Sequence, residues 1–89
     1  ANLSKSPNSR YIRVSFTLEG TDPQFTHLVE QNRVKLIDTT LGILSALDSQ
    51  DIQKPGVKNI VRENLLDAFE NALKKRVVQE LYFSQFVVQ

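Results

Sequence analysis

The sequence predicts an α+β fold: a small antiparallel sheet formed by the N- and C-terminal strands, with two long helices packed on one face. Three observations carry this. Residues Arg10 to Glu19 (RYIRVSFTLE) alternate strictly between apolar and polar. Two long central stretches repeat their apolar residues at helical spacing. The final run, Val77 to Gln89 (VVQELYFSQFVVQ), is β-branched and aromatic and contains neither Gly nor Pro. Packing both helices on one sheet face is the economical way to bury these three patterns together. At 89 residues the chain makes one domain with a single modest core.

Ala1 to Ser9 (ANLSKSPNS) is rich in Ser and Asn with one Pro, and reads as a flexible linker ahead of the domain at 10–89. In the first strand Ile12, Val14, Phe16 and Leu18 share one face, while Tyr11, Arg13, Ser15 and Thr17 share the other. Gly20-Thr21 ends it. Asp22-Pro23 is a helix-start signal, with Asp as N-cap and Pro at the first helical position. Phe25, Leu28 and Val29 open an apolar stripe that Asn32 and Arg33 interrupt. It resumes through Leu36, Ile37, Leu41, Leu44 and Leu47. The phase continues across the polar notch, so one long helix is expected, with Asn32 the place for any kink. Gly42 inside the apolar face costs about 1 kcal/mol against Ala and is tolerable if another backbone packs closely there.

Asp48 to Gly56 is a connector that Ile52 anchors to the core within a short turn. From Val57 the period is regular through Ile60, Val61, Leu65, Ala68, Phe69 and Ala72, giving an amphipathic helix of about five turns. Lys74, Lys75 and Arg76 in its last turn suit the negative end of the helix dipole. In the final run Leu81 and Phe83 fall on one face by parity and Phe86 and Val88 on the other. Either that strand is buried on both faces, or an extra residue near Ser84 or Gln85 switches the faces through a bulge. The second alternative puts all four side chains against the helices.

Composition narrows the function classes. A net charge of +1 gives no reason to expect nucleic acid as a partner. With no Cys there is no disulfide framework and no thiol chemistry. No apolar run reaches the roughly 18 residues that span a bilayer. His27 is the one histidine, and a metal site needs several converging ligands, so it reads as a surface helix residue. The carboxylate pairs Asp48/Asp51 and Glu63/Asp67 read as solvated charge, because nothing predicts a desolvated cleft to split their pKa values. Gly20, Gly42 and Gly56 stand isolated, so there is no phosphate loop, and no nucleophile elbow exists. No enzyme, cofactor or metal is expected. What is left is interaction: Tyr11, Arg13, Tyr82 and Gln85 are the candidate partner-contact residues, Tyr and Arg being enriched at interfaces. The same positions also read as ordinary exposed strand residues.

Three segments resemble the periplasmic domain of the flagellar basal-body-associated FliL family: RYIRVSFTLEGTDP, LIDTTLGILSALDSQDIQKPGVKNIVRENLLDAFENAL and, most specifically, ELYFSQFVVQ. Together they cover Arg10 to Gln89. Lys54 stands where the family commonly has a Ser or Thr cap, and the turn before the last strand is short. The resemblance implies a stomatin-like (SPFH-like) fold. It also implies a single-pass inner-membrane protein whose transmembrane helix lies outside this chain, with this domain in the periplasm at the flagellar basal body. The function it implies is that of a homo-oligomeric ring around the stator proteins MotA/MotB, supporting torque. The alternative is a stomatin-like membrane scaffold or lipid adaptor not tied to motility.

Overall fold

The alternating N-terminal stretch becomes β1 (Ile12–Gly20), and the β-branched C-terminal run becomes β2 (Val78–Val88). They pair antiparallel in a two-stranded sheet. The computed structural model describes Ala1 and residues 11–89; Arg10 and, apart from Ala1, the linker expected over 1–9 lie outside the described residues.

The ladder places Ile12, Val14, Phe16 and Leu18 opposite Val88, Phe86, Phe83 and Leu81. This is achieved by one extra residue. Ser15 faces Gln85 and Phe16 faces Phe83, so Ser84 is bulged out between them. A strand has a side-chain period of two, and one added residue therefore transfers everything beyond it to the opposite face. Phe86 and Val88 join Leu81 and Phe83 on the inner face, and all four belong to or pack against the buried core. A second irregularity leaves Gln79 unpaired and sets Val78 opposite Gly20. Gly20 is required by space. The Phe25 ring and the Val77 carbonyl occupy its side-chain position, where an added Cβ would lie 2.6 Å from the carbonyl oxygen.

Between the strands lie α1 (Phe25–Gln31), α2 (Arg33–Ser45), a short 3₁₀ turn (Asp51–Gln53) and α3 (Val57–Leu73). The single long helix expected from Phe25 onward is broken at Asn32, whose side-chain amide donates to the Leu28 carbonyl at 2.8 Å. This local bond competes with the helical ladder, and α2 restarts at Arg33. Asp22 is not the N-cap expected of it, because Gln24 holds that place and Asp22 and Pro23 lie in the turn ahead of it. Asp22 accepts from the Gln24 N–H at 2.7 Å and from the Phe25 N–H at 2.9 Å, building a turn, and the helix begins at Phe25. Gly56, at φ 75°, leads into α3 in the left-handed conformation that glycine adopts without penalty.

The core is made chiefly by α3 on the inner sheet face. Phe69 is fully buried and its ring centre lies 6.0 Å from that of Phe16; Val61, Leu65 and Leu73 are buried along the same stripe. Phe16, Phe83 and Phe86 continue the cluster in edge-on pairs at 6.2 and 5.2 Å. α2 packs beside α3 and contributes Leu36 and Leu44 to the core, and Leu47 joins them just beyond its end. Its apolar arc is wider than one neighbour covers, so Ile37 and Leu41, expected in the core stripe, stand about half exposed at 49% and 48%. Gly42 meets no neighbouring atom where a Cβ would project, so no close backbone approach offsets its cost. The basic residues expected in the last turn of α3 fall beyond it: the helix ends at Leu73, and Lys74 turns the chain in the left-handed region at φ 58°.

Deleting Ser84 would return Phe86 and Val88 to the outer face. The expected loss is at least about 3 kcal/mol in urea unfolding, the scale of emptying buried large side chains. Ser84→Ala, at the same exposed position, should stay within about 0.5 kcal/mol. Lys74→Gly relieves a left-handed non-glycine residue and should gain up to about 1 kcal/mol in thermal unfolding. A loss on that substitution would show that the turn gains more from the lysine side chain than it spends on strain.

Candidate interaction surface

With the inner face committed to the core, the register assembles a second surface on the outside. Arg13 faces Val87, Ser15 faces Gln85, Thr17 faces Tyr82 and Glu19 faces Glu80. Tyr11 exchanges backbone hydrogen bonds with Gln89, at 2.8 and 2.7 Å, and closes that end of the ladder. The candidate residues Tyr11, Arg13, Tyr82 and Gln85 therefore share one exposed face. The Ser84 bulge puts Gln85 on the same side as Tyr82 despite their opposite parity. The Arg13 guanidinium sits 6.0 Å from the Tyr11 ring centre, and Ser15 Oγ donates to Gln85 Oε1 at 3.4 Å. Tyr82, at 50%, is among the exposed large side chains.

The far end of this face is acidic. Glu19 and Glu80 lie directly opposite each other, an arrangement that disfavours the sheet unless something intervenes. Among the described residues no cation stands within ion-pair distance of either. Tyr82, beside them, feels the pair: the Glu19 carboxylate, then partial desolvation, then Glu80 and a hydrogen bond to Glu19 push its hydroxyl above the ordinary tyrosine range. The sequence alone does not reveal Glu19 and Glu80 as neighbours. The parity breaks at Ser84 and between Val78 and Leu81 are the signals from which that register follows.

A small sheet with three helices, a free outer face and a bulged terminal strand does not by itself name a family. A profile described as "Flagellar basal body-associated protein FliL" matches residues 1–89. The chain belongs to the FliL family. It is also similar to "Flagellar protein FliL" of Aquifex aeolicus (strain VF5), 27% identical over 88 residues, which covers 99% of this chain and 55% of the relative. The chain thus spans about half the length of the curated relative it matches. The family's description associates its members with the flagellar basal body.

The remaining polar candidates of this FliL domain are explained by local structure. His27 is exposed on α1. Asp48 and Asp51 form a reciprocal cap: Asp48 N–H donates to Asp51 Oδ2 at 3.0 Å, and Asp51 N–H to Asp48 Oδ1 at 2.9 Å. The Asp48 backbone N–H, followed by the Lys54 ammonium, holds the Asp51 carboxyl below its ordinary value. Glu63 and Asp67 are exposed along α3. Among the described residues no cluster of three or more His, Asp or Glu side chains gathers. Nor is any helix among them long and apolar enough to cross a membrane.

The Tyr82 environment gives a direct test of the outer-face register. Folded Tyr82 holds its proton more tightly than unfolded Tyr82. Its stabilising contribution is therefore complete below the ordinary tyrosine pKa and disappears as pH rises through the raised folded value. Ultraviolet titration of Tyr11→Phe, which leaves Tyr82 as the one tyrosine, should show a late transition that moves earlier on adding Glu19→Gln. An unmoved transition would place Glu19 away from Tyr82.

Proposed function

We propose that this FliL-family chain is a non-enzymatic accessory protein of the flagellar motor. It self-associates into a ring around the stator, MotA/MotB, and supports it to promote torque and motility. In this reading the domain stands in the periplasm, held at the inner membrane by a transmembrane helix outside this chain. Its ring assembles in the manner of stomatin-type (SPFH) domains. Family membership over residues 1–89 is the observation that carries the reading.

The outer sheet face supports it. Tyr11, Arg13, Tyr82 and Gln85 are exposed together on a paired, rigid strand surface, and aromatic residues and Arg are the types enriched where proteins meet. Binding alone is sufficient as a mechanism. A ring that contacts the engaged stator more tightly than the resting one shifts the population toward the engaged state by that difference in affinity.

The test uses the membrane-tethered protein. Analytical ultracentrifugation in detergent and pull-down with the stator's periplasmic segment should show oligomers and capture. The double substitution Tyr82→Ala, Arg13→Glu should weaken one or both at least about tenfold, the scale of a central interface contact, with unchanged circular dichroism. Swarming should fall in parallel. A strict monomer that captures no stator segment would overturn the proposal, as would normal motility in a deletion strain; that second result would favour a membrane scaffold unconnected with the motor.

A further inference from the structure

The two edges of the sheet are treated differently. Beside the free edge of β2, Arg62 of α3 donates from Nε to the Leu81 carbonyl at 3.1 Å, and its guanidinium stacks 5.3 Å from the Phe83 ring centre. That edge is partly closed by the fold itself. The free edge of β1 has one partner among the described residues, Ala1. Ile12 N–H donates to the Ala1 carbonyl at 2.8 Å, and the Ala1 nitrogen donates to the Ile12 carbonyl at 2.7 Å.

Two residues that exchange both bonds form an antiparallel rung, so this pair fixes a direction as well as a contact. Chain leading into Ala1 from upstream would run beside β1 from the Gly20 end toward Ile12. Backbone groups along a strand point alternately to its two sides. Tyr11 bonds toward β2 and Ile12 away from it, so the N–H and C=O groups of Val14, Phe16 and Leu18 also point away from β2. A strand continuing from Ala1 would meet these three residues in turn.

The side chains beneath that edge are equally unfinished. Between the inner face of β1 and the α1–α2 pair lies an open apolar groove of about 580 Å³. Its walls include Val14, Phe16 and Leu18 on one side and Val29, Ile37 and Leu41 on the other. Apolar walls partly exposed along β1 and about half exposed at Ile37 and Leu41 are costly in water, and beside an unpaired strand edge they invite a strand.

We propose that residues preceding Ala1 in the longer protein form a third, antiparallel strand on the free edge of β1 and lay their inward side chains into this groove. The FliL relative is longer than this chain, which covers 55% of it. The sequence signature for that strand is alternating apolar residues ending at Ala1.

Amide hydrogen exchange on the full-length protein, compared with the chain Ala1–Gln89, reads the edge directly. Val14, Phe16 and Leu18 amides should exchange at least about a hundredfold more slowly in the longer protein, at all protein concentrations. A second readout uses the groove wall. Leu41→Gln at a half-exposed position should leave the melting temperature of Ala1–Gln89 nearly unchanged. The full-length protein should lose several degrees, because there the same side chain is covered. Equal exchange in the two proteins would overturn the proposal. So would protection that appears in Ala1–Gln89 alone and grows with concentration, since the occupant would then be a second copy.

Discussion

The register between β1 and β2 is the constraint on which everything else in this domain rests. The apolar positions of β1 and of both halves of β2 reach the helices from one side only because Ser84 is passed over in the pairing. Without that extra residue the two halves of β2 would demand opposite cores, and the described residues offer one helical layer. The bulge also creates the outer face, since the step that turns Phe86 inward turns Gln85 out beside Tyr82. Core and surface are consequences of the same unpaired residue.

Much of this was legible in the residues. Strict alternation in β1 has a single physical reading, and the parity break in ELYFSQFVVQ announced a bulge to within one position. The break at Asn32 was visible as a polar notch, but whether an Asn side chain bonds to its own helix is a local competition that periodicity does not measure. The second irregularity at Gln79 carried a comparable parity signal, Val78 against Leu81, which was obscured by the adjacent valine at position 77. Ile37 and Leu41 were misplaced for a different reason. Spacing shows that a helix has an apolar arc, not whether a neighbour exists to cover all of it. The four outer-face candidates were named from residue type and exposure, and their gathering on one face follows from the register. Glu19 and Glu80 were missed because cross-strand neighbours appear only once that register is counted.

The helical layer is unevenly distributed over the sheet. α3 supplies the fully buried Phe69, Leu65 and Val61, and through Arg62 it also reaches the rim of β2. α1 and α2 line a groove along β1 whose apolar walls include Ile37 and Leu41, both about half exposed. Polar chemistry is spent on shape: the Asp48–Asp51 cap, the Asn32 bond and the Asp22 turn each fix a change of chain direction. The outer face retains polar groups, Glu19 and Glu80 among them, that no such local task consumes.

The Tyr11–Gln89 rung has a mechanical consequence. It places the start of β1 and the end of β2 side by side, so tension applied between those two points peels the sheet open from that end. Rungs then break one after another, each bearing the whole load in its turn, instead of sharing it as they would in shear. The domain is therefore compliant when its ends are drawn apart and stiff when strand slides against strand. In a basal-body protein, the direction from which neighbours pull decides which of these two materials it resembles.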